Sequence, residues 1–263
     1  MHYHLQTPDL DEYELLVGNN SLLNTNVFSK ISALKAEIRK IEFENPVDQS
    51  RILEFMVDQE SFNSLLYTVD GLIRTSIMVK FYSSRIKGTP TPDDFKALSD
   101  EDFIQEQWFN YFSDIFFVQL STCFDLLGLF LKDNLNLDIN SHQVDFKSVC
   151  TAIKGYKYSN LPLADVSLNL KKAALEISNK ITSDNDFNKA NEYRIGVVHK
   201  LSFSHPFSTI KKQTFPDKVI KSIGTVYISP SVRLKLIDKC TKMFIDSIEI
   251  FSGNLKAQPE DSN

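Results

Sequence analysis

Residues 99–132 read SDEDFIQEQWFNYFSDIFFVQLSTCFDLLGLFLK. Ser99 and Asp102 have the S-x-x-D spacing of a capping box, in which side chains satisfy the backbone donors that the first turn of a helix leaves open. From there Ile104, Trp108, Phe112, Ile115, Cys123, Leu127 and Phe130 recur at the spacing that places side chains along one side of a helix. Phe109, Tyr111, Phe116, Phe117 and Phe124 fall elsewhere around it, so this helix is expected to be covered on several sides and to form the spine of the domain. Its most apolar run, Ile115 to Leu131, is interrupted by Gln119 and Asp125 and falls short of the roughly 20 continuous apolar residues that cross a bilayer. A core helix rather than a membrane span is expected.

The flanking sequence repeats the pattern. Val27 to Glu44 is expected to form a helix entered through the capping candidates Asn24, Thr25 and Asn26 and stopped by Asn45-Pro46. Phe62, Leu65, Leu66, Val69, Ile73, Ile77 and Phe81 mark a second, long amphipathic helix. Two prolines within Gly88-Thr89-Pro90-Thr91-Pro92 then impose an extended connector. Beyond the spine come a helix near Asp145 to Ile153 and one in which Leu170, Ala174, Ile177 and Ile181 share a face. Thr182-Ser183-Asp184 caps the next, expected from Asn185 to about Leu201, with Asp184 and Asp186 at its positive end. Pro206, Pro216 and Gly224 mark a long connection with room for a short strand or hairpin near 214–228, Thr225 to Ile228 being the candidate strand. Ser229-Pro230 is an N-cap and N1 pair, and Ile237, Cys240, Phe244, Ile248 and Phe251 make the stripe of a last helix ending at Gly253.

The fold class is therefore all-α, a bundle of long helices. Residues 1–23 are expected to be an irregular acidic lead-in, 24–254 a single helical domain and 255–263 a flexible tail. The chain has 263 residues, enough for a large core, and its 8 glycines are too few for folds built on frequent positive-φ turns. Cys123, Cys150 and Cys240 are odd in number and far apart, which excludes a disulfide framework or paired zinc clamp and suits a reducing compartment. With no leader-like segment after Met1, a cytoplasmic location is expected.

The formal net charge is −5, yet from Phe187 to Ser222 seven basic residues face only Glu192 and Asp217, a local balance of +5. Such asymmetry either marks a patch for an anionic partner or keeps one face soluble. Lys200, Lys211 and Lys212 are the candidates for holding phosphate. There is no Walker loop, no G-x-G-x-x-G, no G-x-S-x-G and no H-E-x-x-H, which removes the commonest enzyme classes. His2 and His4 suit only adventitious metal capture, and neither His142 nor His205 has an obvious partner, so no metal site and no cofactor are expected.

The fifth histidine closes the run Asn191-Glu192-Tyr193-Arg194-Ile195-Gly196-Val197-Val198-His199-Lys200, which joins an arginine to a histidine on a capped helix inside the basic region. This resembles the HEPN superfamily, whose signature is Arg, four to six residues, then His on a helix late in the domain. The resemblance is sharp over this helix and looser over a helical core from about residue 61 to 254. It implies a metal-independent endoribonuclease with Arg194 and His199 as catalytic residues. Histidine titrates near neutrality and can deprotonate the RNA 2′-hydroxyl or protonate the leaving oxygen, while arginine can hold the phosphorane-like charge. Five residues along an ideal helix turn through about 140° and rise about 7.5 Å, so one copy makes a poor site. The resemblance supplies a homodimer in which two motif helices face one another. Ile195 departs from the polar residue, often Asn, usual after the arginine, and Leu201 stands where some members carry a modifiable tyrosine. The alternative is a non-catalytic helical module binding RNA, nucleotide or a protein partner such as an antitoxin.

Overall fold

The computed structural model describes residues 5–44, 49–87, 98–134, 137, 139, 144–155, 165–199, 213–215, 218–220 and 228–256. Within these, residues 37–59, 133–134, 165–170, 182, 194–199, 213–215, 218–220 and 255–256 are described by their backbone. The elements run α1 (Leu10–Gly18), α2 (Ser21–Asn24), α3 (Val27–Glu44), α4 (Gln49–Ser83), α5 (Asp100–Asn134), α6 (Phe146–Gly155), α7 (Asp165–Thr182), α8 (Asn185–His199), β1 (Gln213–Phe215), β2 (Lys218–Ile220) and α9 (Pro230–Lys256). Among the described residues the bundle is all-α but for that antiparallel strand pair, in which Gln213 faces Ile220 and Phe215 faces Lys218.

α5 is the spine. Its amide of Asp102 donates to Ser99 Oγ at 3.2 Å, and Ser99 Oγ donates to the Asp102 carboxylate at 2.7 Å, so the expected capping pair starts the helix. α4 lies antiparallel beside it: Phe62 packs on Phe130 at one end, and Tyr82 stacks on Phe112 and Trp108 at the other. Midway, Thr75 donates to Gln119 Oε1 at 2.7 Å. α6 approaches α5 closely at Gly128, where an added Cβ would lie 3.0 Å from the Phe146 Cα. The Phe146 amide donates to Asp125 and the Ser148 amide to Asp145, which fixes the start of α6. α7 packs on α6 through Ser178, whose hydroxyl donates to the Cys150 carbonyl. α9 closes the bundle against α3, α5, α7 and α8, with Phe244 on Phe124 and Phe251 on Phe130.

By length and mean hydropathy, 1.6 over its most apolar window, α5 could cross a membrane, but half of that window is buried within the fold. Its covering comes from α4, α6, α8 and α9. That burial, together with the ionisable Glu106 sunk among these helices, makes it a core helix.

Several expectations change. The irregular lead-in contains two helices, α1 and α2. α1 buries no residue and leaves Leu10 and Leu15 exposed, so it has no apolar periodicity to read. Its signal is the reciprocal Asp9–Glu12 capping box, and its hold on α4 is the Glu12–Arg85 ion pair at 2.7 Å. Asn20 caps α2 and donates to Ser76 Oγ. Asn26 takes the left-handed conformation, φ 52, which asparagine tolerates better than most residues. α4 begins well before Phe62, and α9 runs through Gly253 to Lys256. The expected stripe on the first half of α5 is also displaced: Ile104, Trp108, Phe112 and Ile115 are half-buried. The face that is fully buried there carries Gln105, Glu106, Phe109, Asn110, Ser113, Phe116 and Phe117. The connector at Gly88–Pro92 and the strand candidates Thr225 to Tyr227 lie outside the described residues.

Candidate functional site

α8 begins at Asp184, whose carboxylate accepts from the amides of Asp186 and Phe187 at 2.7 and 3.1 Å. The expected cap is therefore in place, and it adds negative charge at the positive end of the helix. Phe187, Ala190 and Tyr193 are buried, while Lys189 and Glu192 are exposed. Phe187 packs on Phe124 of α5 and Phe146 of α6. Six residues on, Tyr193 stacks against Phe117, centroids 4.4 Å apart. α8 thus runs antiparallel to α5, toward its amino-terminal half.

Arg194 and His199 both lie on this one helix. Their side chains are not among those described, and Lys200, Lys211 and Lys212 lie outside the described residues, as do His2, His4, His142 and His205. Phe187, Ala190 and Asn191 border a recess against Ser121 and Asp125 of α5, of about 20 Å³, room for one water and no substrate. Among the described residues no three His, Cys, Asp or Glu side chains gather as a metal site.

The polar centre beside the motif is one that sequence reasoning missed. Tyr193, the residue before Arg194, donates its hydroxyl to Asp114 Oδ1 at 3.0 Å and accepts from Arg233 Nη1 at 3.4 Å. Arg233, fully buried, reaches from α9 to Asn110 and to Glu106, the latter at 3.5 Å and itself 1% exposed. The guanidinium also lies 4.7 Å above the Phe109 ring. Burial raises the Tyr193 phenol well above its usual range, with Arg233 opposing and Asp114 adding to the shift, so the hydroxyl stays protonated as a donor. One signal could have revealed the centre. Arg233 stands four residues before Ile237, at the head of the apolar stripe of α9, where a charge has no place unless something buried answers it.

A family model described as "HEPN_Cthe2314:-like HEPN" matches residues 62–256, about three quarters of the chain. The chain belongs to the HEPN family. The match takes in the latter part of α4 and everything from α5 to α9, including the Arg194–His199 motif, and leaves α1, α2 and α3 outside the HEPN core. No curated protein and no solved structure matches the chain.

Proposed function

We propose that this HEPN protein is a metal-independent endoribonuclease in which Arg194 and His199 act on the RNA backbone. The observation that carries the reading is that the Arg-x4-His spacing falls on one unbroken, capped helix inside the HEPN match. In the proposed reaction His199 takes the proton of a 2′-hydroxyl. The freed oxygen attacks the neighbouring phosphorus, the 5′-oxygen leaves and receives a proton, and a 2′,3′-cyclic phosphate remains. Arg194 holds the non-bridging oxygens as their charge grows. Lys200, Lys211 and Lys212 are assigned to phosphates on either side. Because positions 194 and 199 diverge by about 140° around the helix, the working site is assigned to a C2 homodimer that sets one copy's α8 against the other's. The setting is cytoplasmic, and an antitoxin-like protein partner is compatible with it.

Ile195 favours a second reading, a HEPN module that binds RNA, nucleotide or protein without cutting, since an aliphatic side chain offers nothing to phosphate or imidazole. One assay separates the two. Purified protein incubated with mixed RNAs in EDTA should yield fragments with cyclic phosphate ends, and His199→Ala should lower the rate by about 10²–10⁴, the usual range for acid–base loss. Intact RNA with both wild type and Ile195→Asn, alongside salt-dependent binding, would move the conclusion to the binding module.

A further inference from the structure

The Arg233 centre is costly for what it contributes to stability. Burying an ion pair forfeits several kcal/mol of hydration per ion, and well-packed apolar residues of similar volume often hold a core equally well or better. At 3.5 Å the Arg233–Glu106 contact is long for a pair that has left water. Among the described residues Arg233 Nε, Gln105 Oε1 and Ser113 Oγ are buried with no hydrogen-bond partner, each an expense of about 1–3 kcal/mol. Packing three helices does not require this arrangement.

What the centre has, and an apolar core lacks, is direction. Tyr193 Oη is bonded at once to α5 through Asp114 and to α9 through Arg233. Hydrogen bonds weaken steeply once distance or angle departs from a narrow range, whereas aromatic contacts such as Phe187 on Phe124 tolerate sliding. One residue of slippage along α8 is about 1.5 Å and 100° of rotation, and the Tyr193 bonds would not survive it. Position 194 is the next residue on the helix.

We infer that Arg233, acting through Tyr193, is a positioning residue that fixes the rotation of α8 and so aims the Arg194–His199 motif. The inference deepens the nuclease reading and rests on it for its catalytic consequence. The structural part stands independently, since it concerns the helix that carries the motif.

The test uses the full chain with Tyr193→Phe, which keeps the ring on Phe117 and removes the hydroxyl, and the double variant Arg233→Met/Glu106→Leu, which removes both buried charges. Melting temperature, kcat and KM on RNA, and the backbone amide resonances of residues 194–199 are measured for each. The expected result is near wild-type melting, an unchanged KM, and kcat lowered by at least about tenfold, since about 1 Å of misplacement can cost 10²-fold. The 194–199 amide resonances should shift while those of α7 stay in place. Wild-type kcat with unmoved resonances in both variants would overturn the inference and leave the centre a packing feature. If the wild type itself leaves RNA intact, the nuclease reading falls alone, and the amide resonances still decide whether the centre orients α8.

Discussion

Along α5 the buried line changes chemistry near Phe116. Before it lie the buried polar side chains of Gln105, Glu106, Asn110 and Ser113; Arg233 of α9 reaches Glu106 and Asn110, and Tyr193 of α8 bonds to Asp114 beside them. After it lie Phe117, Leu120, Phe124 and Leu127, answered by Phe187 of α8 and Phe244 of α9. The same three helices therefore meet twice, once through bonds with fixed lengths and once through rings that accept a range of offsets. The apolar meeting supplies burial, roughly 1.5–3 kcal/mol for each large side chain. The polar meeting adds little net energy but admits only one rotation of α8.

The contrast can be broken from either end. Phe124→Ala should cost about 3–5 kcal/mol in urea unfolding, and Arg233→Ala a similar amount, about 3–5 kcal/mol, because Glu106 is left charged and buried. The two should part company when charge is removed in pairs: the Arg233→Met/Glu106→Leu double variant should recover most of the loss. Equal destabilisation by single and double variants would show that the polar end is held by shape and not by charge.

A smaller effect is expected at the closest approach of α5 to α6. Gly128→Val should cost about 1–3 kcal/mol by overpacking against the Phe146 backbone. Activity per folded molecule should be unchanged, because the strain falls at the apolar end. Smaller still, Tyr193→Phe should cost about 0.5–1.5 kcal/mol, the net worth of a hydrogen bond, and yet change the motif more than Gly128→Val does. If the proposed cleavage is observed, a Gly128→Val variant with altered kcat would blur the distinction between the two ends.

The smallest effect, nil at neutral pH, concerns thiols at the apolar end. Burial pushes Cys150 up to about 11 and Cys240 up to about 12 from an ordinary 9.0. The folded chain keeps protons that the unfolded chain releases, so stability is full below about pH 9 and falls as pH rises toward 11 and 12. Cys150→Ala should flatten that fall in alkaline melts. An unchanged slope would mean that other groups govern it.

Much of the architecture is legible in the amino-acid sequence alone. The bounds of α3 and the stripes of α4 and α9 follow from periodicity, because those helices bury apolar side chains at regular spacing, while Asn24 and Thr25, read as capping candidates for α3, bond back to Gly18 and Ser21. The Arg–His spacing points to the family for a similar reason, being local to one helix. α1 escapes because its signals are a capping box and an ion pair, and it buries Leu16 and Val17 only in part. The first half of α5 misleads because its buried face is partly polar and its half-exposed face is aromatic, so hydropathy selects the wrong side. Arg233 escapes because its partners are 40, 123 and 127 residues away, and no pattern within one helix records them.

Those separations also set an order of events. α4 and α5 are neighbours in sequence and can pair early, whereas Arg233 cannot meet Glu106 until a loop of more than a hundred residues has closed, with the entropic delay that implies. The motif helix can therefore exist, capped, packed on α5 and bonded to it through Tyr193 and Asp114, before Arg233 adds the bond from α9. A chain interrupted upstream of Pro230, by a protease or by stalled synthesis, would carry both Arg194 and His199 without the arginine that aims them. If the chain cuts RNA as proposed, late arrival of that one side chain would act as a timer on activity.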